Sequence, residues 1–78
     1  MLGLTEKQRQ VLLEIEDDLE KNKEEIQNST LHVAPMEAAF TFRTKSQIGR
    51  EYVLRTYRGS IDLSGNKQFI LDRAELIR

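Results

Sequence analysis

The sequence predicts an α+β fold: one long N-terminal amphipathic helix packed on a three- to four-stranded antiparallel β-meander. Two periodicities predict it. Apolar residues recur at helical spacing near the start of the chain and at strand spacing from residue 38 onward, with Gly, Ser and Asn between the runs. The third observation is size. With 78 residues and no cysteine, the chain reads as a single domain over 1–78 that has no disulfide to hold it.

The helix is predicted over residues 4–28. Thr5 is a good N-cap, and Gln8 three residues later completes a capping-box pattern. Glu6 lies in the first turn, where the helix dipole favours negative charge. Leu12, Ile15, Leu19 and Ile26 mark one face, widened by Val11, with Asn22 the polar gap in the series. The same stripe is compatible with a short coiled-coil seam in which Asn22 sets the register.

The sheet is predicted over 38–72. "TLHVAP" before it is a short strand or an extended link, and Pro35 stops any helix there. "MEAAFTFRTKSQIGREYVLRTYRG" reads as a hairpin with "TKSQIG" as its turn. Phe40 and Phe42 share one face; Tyr52, Leu54 and Thr56 are expected to join them under the helix. Arg43, Arg55 and Tyr57 are then expected on the solvent face. Gly59 reads as the next break, Ile61 and Leu63 as a short strand, and "SGN" as a turn. Phe69 and Leu71 alternate like a strand through Asp72. Residues 73–78 stay open between helix and strand, because Ile70, Ala74 and Ile77 also fit a helical face.

At "GREYVLRTYRGSIDL" the chain resembles a family of small uncharacterised bacterial proteins found in prophage and mobile-element settings. The resemblance runs from the helix start Leu4-Thr5, through Gly49-Arg50 with Tyr52-Val53-Leu54, to Arg58-Gly59 with Ile61 and Leu63. It implies no catalytic residues. It implies that the pattern continues past Arg78 into another strand and a histidine-containing segment. It also implies a phage-type protein that antagonises a host nuclease or defence complex.

The residues themselves point away from catalysis. His32 is the single histidine, so no second histidine exists to complete a nucleophile–base–orienter set; a serine–lysine pair stays open, and no feature of the sequence singles one out. One histidine without cysteine argues against a zinc site, and "DLSGN" and "DDLEKN" lack the ligand alternation of a calcium loop. The glycines are scattered, so no phosphate cradle forms. No enzyme activity, cofactor or metal is expected. No run reaches the ~20 apolar residues of a membrane span, and a cytoplasmic protein is expected.

Charge is distributed unevenly. Residues 1–30 hold eight acidic and four basic side chains; residues 31–78 hold eight basic and five acidic. Two contact surfaces follow. The first is a basic sheet face of Arg43, Arg50, Arg55, Tyr57 and Arg58, where guanidinium groups beside an aromatic ring suit phosphates and bases. The second is an acidic helix face of Glu14, Asp17, Asp18, Glu24 and Glu25, a rod of carboxylates able to imitate a nucleic-acid backbone. The expected function is a non-catalytic protein-interaction module, an inhibitor of a host defence nuclease acting by surface occupation. The alternatives are a nucleic-acid-binding module using the basic face and a homo-oligomerisation domain closing through the helix stripe or a strand edge.

Overall fold

The structure, a computed structural model, describes residues 3–77. Helix α1 (Glu6–Lys21) is followed by strands β1 (Glu25–Val33), β2 (Glu37–Ile48), β3 (Glu51–Asp62) and β4 (Lys67–Ile77). The strands form one antiparallel sheet in the order β1-β2-β3-β4, with the helix packed on one face. This is the α+β meander expected from the periodicities.

The helix starts where the sequence places it. Thr5 Oγ1 accepts a hydrogen bond from the Gln8 backbone N–H at 3.1 Å, and Gln8 Oε1 accepts from the Thr5 N–H at 3.0 Å. The buried Gln8 side chain also donates to the Ile61 carbonyl at 3.1 Å, tying the first turn to the end of β3. The helix ends earlier than expected. Asn22 is its C-cap, and Lys23 takes φ +62°, a left-handed conformation reached without glycine, with the Lys23 N–H donating to the Glu20 carbonyl at 3.0 Å. Residues 25–28 are therefore strand. Ile26 packs on the core from β1, and its match to the helical series is a coincidence of spacing. The stripe cannot be a coiled-coil seam, since Ile15 and Leu19 are buried against the sheet.

The β2–β3 turn is tighter than expected. Ile48 pairs with Glu51, leaving only Gly49 and Arg50 between them, and Gly49 takes φ +62° at the position where a type II′ turn calls for glycine. A two-residue turn sets even positions of β2 opposite odd positions of β3. Phe40 therefore faces Gly59, Phe42 faces Tyr57 and Thr44 faces Arg55. The expected β3 faces are exchanged. Arg55 and Tyr57 lie on the helix side, and Tyr52, Leu54 and Thr56 lie outside.

Gly59 does not break the strand. It sits within β3 beneath Phe40, and a Cβ there would stand 2.4 Å from Phe40 Cζ and 2.3 Å from the Gln68 carbonyl oxygen. The strand β4 runs on through Ile77, so the 73–77 stretch is extended; Arg78 lies outside the described residues.

The core consists of Ile15, Leu19, Phe40, Phe42 and Ile61, with Val11, Leu12, Ile26, Tyr57 and Phe69 packed around it. Phe69 stacks on Tyr57 with ring centroids 5.0 Å apart. The helix, 16 residues long, spans ~24 Å. Strands of 12 residues span ~40 Å. The helix therefore covers one end of the sheet and leaves the other bare. The molecule is correspondingly long, 44 × 19 × 19 Å, with a radius of gyration of 13.5 Å; a compact chain of this length has about 11.5 Å.

Candidate functional site

At the end of the helix the chain builds a polar cluster around Glu24. Its backbone N–H donates to the Leu19 carbonyl at 2.9 Å, which turns the side chain under the helix end. Glu24 Oε1 accepts from Thr44 Oγ1 at 2.9 Å and from the Tyr57 hydroxyl at 2.7 Å, and lies 3.5 Å from an Arg55 guanidinium nitrogen. The same Arg55 nitrogen donates to Ser46 Oγ at 2.7 Å. Burial first, and then the adjacent Glu24 carboxylate, push the Tyr57 phenol up to about 12. Tyr57 is thus a locked hydrogen-bond donor at neutral pH, and the cluster joins helix end, β2 and β3.

This cluster removes three residues from the expected contact surfaces. Arg55 and Tyr57 point inward to Glu24, and Glu24 itself is buried, so none of them belongs to a solvated face. Of the acidic set, Glu14, Asp17 and Asp18 lie exposed on α1, with Asp17 3.2 Å from Lys21 Nζ. Glu25 is exposed on β1, paired in register with Lys45. Of the basic set, Arg43 and Arg58 share the outer face of the sheet, and Arg50 sits exposed in the β2–β3 turn.

The outer face gains an arginine that strand alternation alone does not reveal. Arg73 joins Thr41, Arg43, Thr56 and Arg58 around a shallow groove of about 380 Å3. Two of these arginines are already neutralised: Arg58 lies 3.1 Å from Asp72 and Arg73 3.5 Å from Glu75. Among the described residues Arg43 has no ion pair. His32 is exposed on β1 opposite Ala39, and no cluster of His, Asp and Glu able to hold a metal occurs among the described residues. Among the same residues no helix is long and apolar enough to cross a membrane.

The most unusual surface is β4 and the bare end beside it. Ile70, Leu71, Leu76 and Ile77 are 62%, 51%, 54% and 42% exposed. They occupy both faces of the strand: Leu71 and Leu76 lie on the helix side, Ile70 and Ile77 outside. Ile48, at the tip of β2, adds a further 59% exposed side chain. As the last strand in the sheet order, β4 also presents an outer edge with no neighbouring strand. The legible sign was the adjacent pairs "IL" and "LI" in "FILDRAELI", which put apolar groups on both faces of one strand where a single helix can cover only one.

Compared with known proteins, the chain matches no family model, and no curated protein or solved structure is significantly similar to it.

Proposed function

We propose that this chain is a non-catalytic protein-interaction module that works by surface occupation, with the β4 edge and the bare end of the sheet as its contact surface. The observation that carries this reading is the exposure of Ile70, Leu71, Leu76 and Ile77 on both faces of an unpaired edge strand. Monomeric proteins blunt such edges with charge, a bulge, proline or a covering element; β4 has the charges Asp72, Arg73 and Glu75 and an irregularity at Asp72, yet keeps an exposed apolar pair on either side of them, Ile70-Leu71 and Leu76-Ile77. An edge left apolar on both faces supplies backbone hydrogen bonds for affinity and side chains for specificity, the physics of strand addition.

Two further features support a binding role without chemistry. The Tyr57 hydroxyl, raised to about 12, is committed to Glu24. His32 stands alone on an exposed strand. The resemblance to prophage-type proteins suggests a cytoplasmic host nuclease or defence complex as the target. Glu14, Asp17 and Asp18 on the exposed face of α1 would then supply a second, acidic contact. The outer-face arginines support nucleic-acid binding weakly, because Asp72 and Glu75 already hold two of them.

The test is affinity capture from a bacterial lysate with the immobilised chain. The expected result is a partner retained by the native chain and lost from the Ile70→Lys/Leu76→Lys variant. A partner indifferent to those changes but lost from Glu14→Gln/Asp17→Asn/Asp18→Asn would move the contact to the helix. Turnover of a substrate by the purified chain would overturn the non-catalytic reading.

A further inference from the structure

We infer that a second copy of this chain pairs on the β4 edge, β4 against β4 in antiparallel fashion, about a twofold axis through Ala74. The inference rests on the reading of β4 as a contact edge and names its occupant. It comes from the order of side chains along the strand and from one irregularity in its pairing with β3.

On β4, Phe69, Leu71, Ala74 and Leu76 face the helix side, whereas Gln68, Ile70, Arg73, Glu75 and Ile77 face outward. The alternation is interrupted because Thr56 pairs with Arg73 and Tyr57 with Leu71, which leaves Asp72 as an extra residue. An isologous antiparallel pair sets each residue opposite its mirror position about the axis. With Ala74 opposite Ala74 of the second copy, Arg73 falls opposite Glu75 and Glu75 opposite Arg73, all on the outer face. Opposite charges directly across a strand pair are favourable, and here they occur twice.

Beyond Arg73 the bulge decides the register. Counted without it, Leu71 would meet Ile77 of the second copy, and the two point to opposite faces. With Asp72 left out of the ladder, Leu71 meets Leu76 on the helix side and Ile70 meets Ile77 on the outer side. Each of the four exposed apolar residues of the edge then has an apolar partner on its own face. Neighbouring registers lose this. An axis through Arg73 or through Glu75 sets like charges against each other.

Size argues in the same direction. The chain has no cysteine, and among the described residues only six hydrophobic side chains are buried, five of them in one cluster. Small domains of this kind commonly add buried area through a second subunit. The opposite edge of the sheet offers less apolar surface, since β1 reads Glu-Ile-Gln-Asn-Ser-Thr-Leu-His-Val and Leu31 is its one exposed large apolar side chain against four on β4.

The test is sedimentation velocity on the purified chain across a concentration series. The expected result is a reversible species of twice the 9.1 kDa chain mass. Arg73→Glu and Glu75→Arg, each alone, should weaken dimerisation about tenfold or more by placing like charges across the axis. The double exchange Arg73→Glu/Glu75→Arg should restore it. Both side chains are solvent-exposed, at 71% and 55%, so little folding stability is expected to be lost although each single reversal also breaks the Arg73–Glu75 pair within the chain; circular dichroism of each variant checks that it is folded. Because the chain has no cysteine, Ala74→Cys introduces a single thiol, which should form an intermolecular disulfide on mild oxidation; His32→Cys on β1 should not. A monomer at the highest soluble concentration, a dimer untouched by either charge reversal, or crosslinking through position 32 but not 74 would overturn the inference. A monomer would leave the capture experiment with a foreign partner on β4 standing, whereas a β4 dimer leaves a foreign partner the exposed Glu14, Asp17 and Asp18 face of α1, so the two readings fail separately.

Discussion

The two ends of the β2–β3 hairpin are built from the same pair of strands and differ in what covers them. At one end the helix lies over Phe40, Phe42 and Ile61, which are 0–3% exposed. At the other, Ile48 is 59% exposed and the neighbouring Leu76 and Ile77 of β4 are 54% and 42% exposed. Hydrogen-bonded register is continuous from one end to the other. The difference therefore comes from side-chain cover, set by a helix about 24 Å long on strands of about 40 Å. It separates the part of the molecule that supplies stability from the part available to a partner, a division expected when local stability follows buried apolar contact.

The comparison breaks most easily at the covered end. Phe42→Ala is expected to cost about 3–5 kcal/mol of unfolding free energy in urea titration. For a domain of this size that approaches the whole margin. A loss below about 1 kcal/mol would mean that the helix does not carry the core. The boundary between the ends is the Glu24 cluster. Glu24→Ala leaves Thr44, Tyr57 and Arg55 without their shared acceptor, and a loss of about 1–3 kcal/mol is expected.

The same cluster predicts a pH dependence. The Tyr57 phenol moves from 10.0 to about 12 on folding. The folded state thus holds that proton more tightly than the unfolded chain. The stabilising contribution is present below pH 10, and it declines as pH rises towards 12. The difference in stability between the native chain and Tyr57→Phe should shrink over that window; a constant difference would refute the assignment. At the bare end the smallest effect is expected. Ile48→Ala should change stability by about 0.5 kcal/mol or less, and a loss comparable with that of Phe42→Ala would erase the distinction between the two ends.

Much of the architecture is readable from the sequence, and the errors have definite causes. Thr5 and Gln8 announce the helix start because capping is local chemistry, fully specified within four residues. The helix stop was hidden because Lys23 adopts a positive φ with no glycine to signal it, while Ile26 happens to continue the helical series. The faces of β3 were misassigned for a different reason. Tyr52-Val53-Leu54 and Arg55-Thr56-Tyr57 offer apolar or aromatic groups to both faces, so alternation alone cannot orient the strand. The two-residue turn at Gly49-Arg50 decides it. Gly59 misled in the same way: its role is room for the Phe40 ring across the sheet, a relation invisible to a local reading. Of the candidate contact residues, Arg43, Arg50 and Arg58 and the carboxylates of Glu14, Asp17, Asp18 and Glu25 are exposed as expected. Arg55, Tyr57 and Glu24 are the ones the long-range pairing pulled inside.

The opposite margin of the sheet sets how far assembly can go. β1 is polar along Gln27-Asn28-Ser29-Thr30, is thrown out of phase between Ile26 and Asn28, and runs into Pro35 soon after it ends. A filament needs two adhesive margins on every unit, and among the described residues of β1 Leu31 is the one exposed large apolar side chain. Two copies sharing β4 would make an eight-stranded platform rimmed on both sides by β1, a strand with little exposed apolar surface, and further polymerisation would stop there.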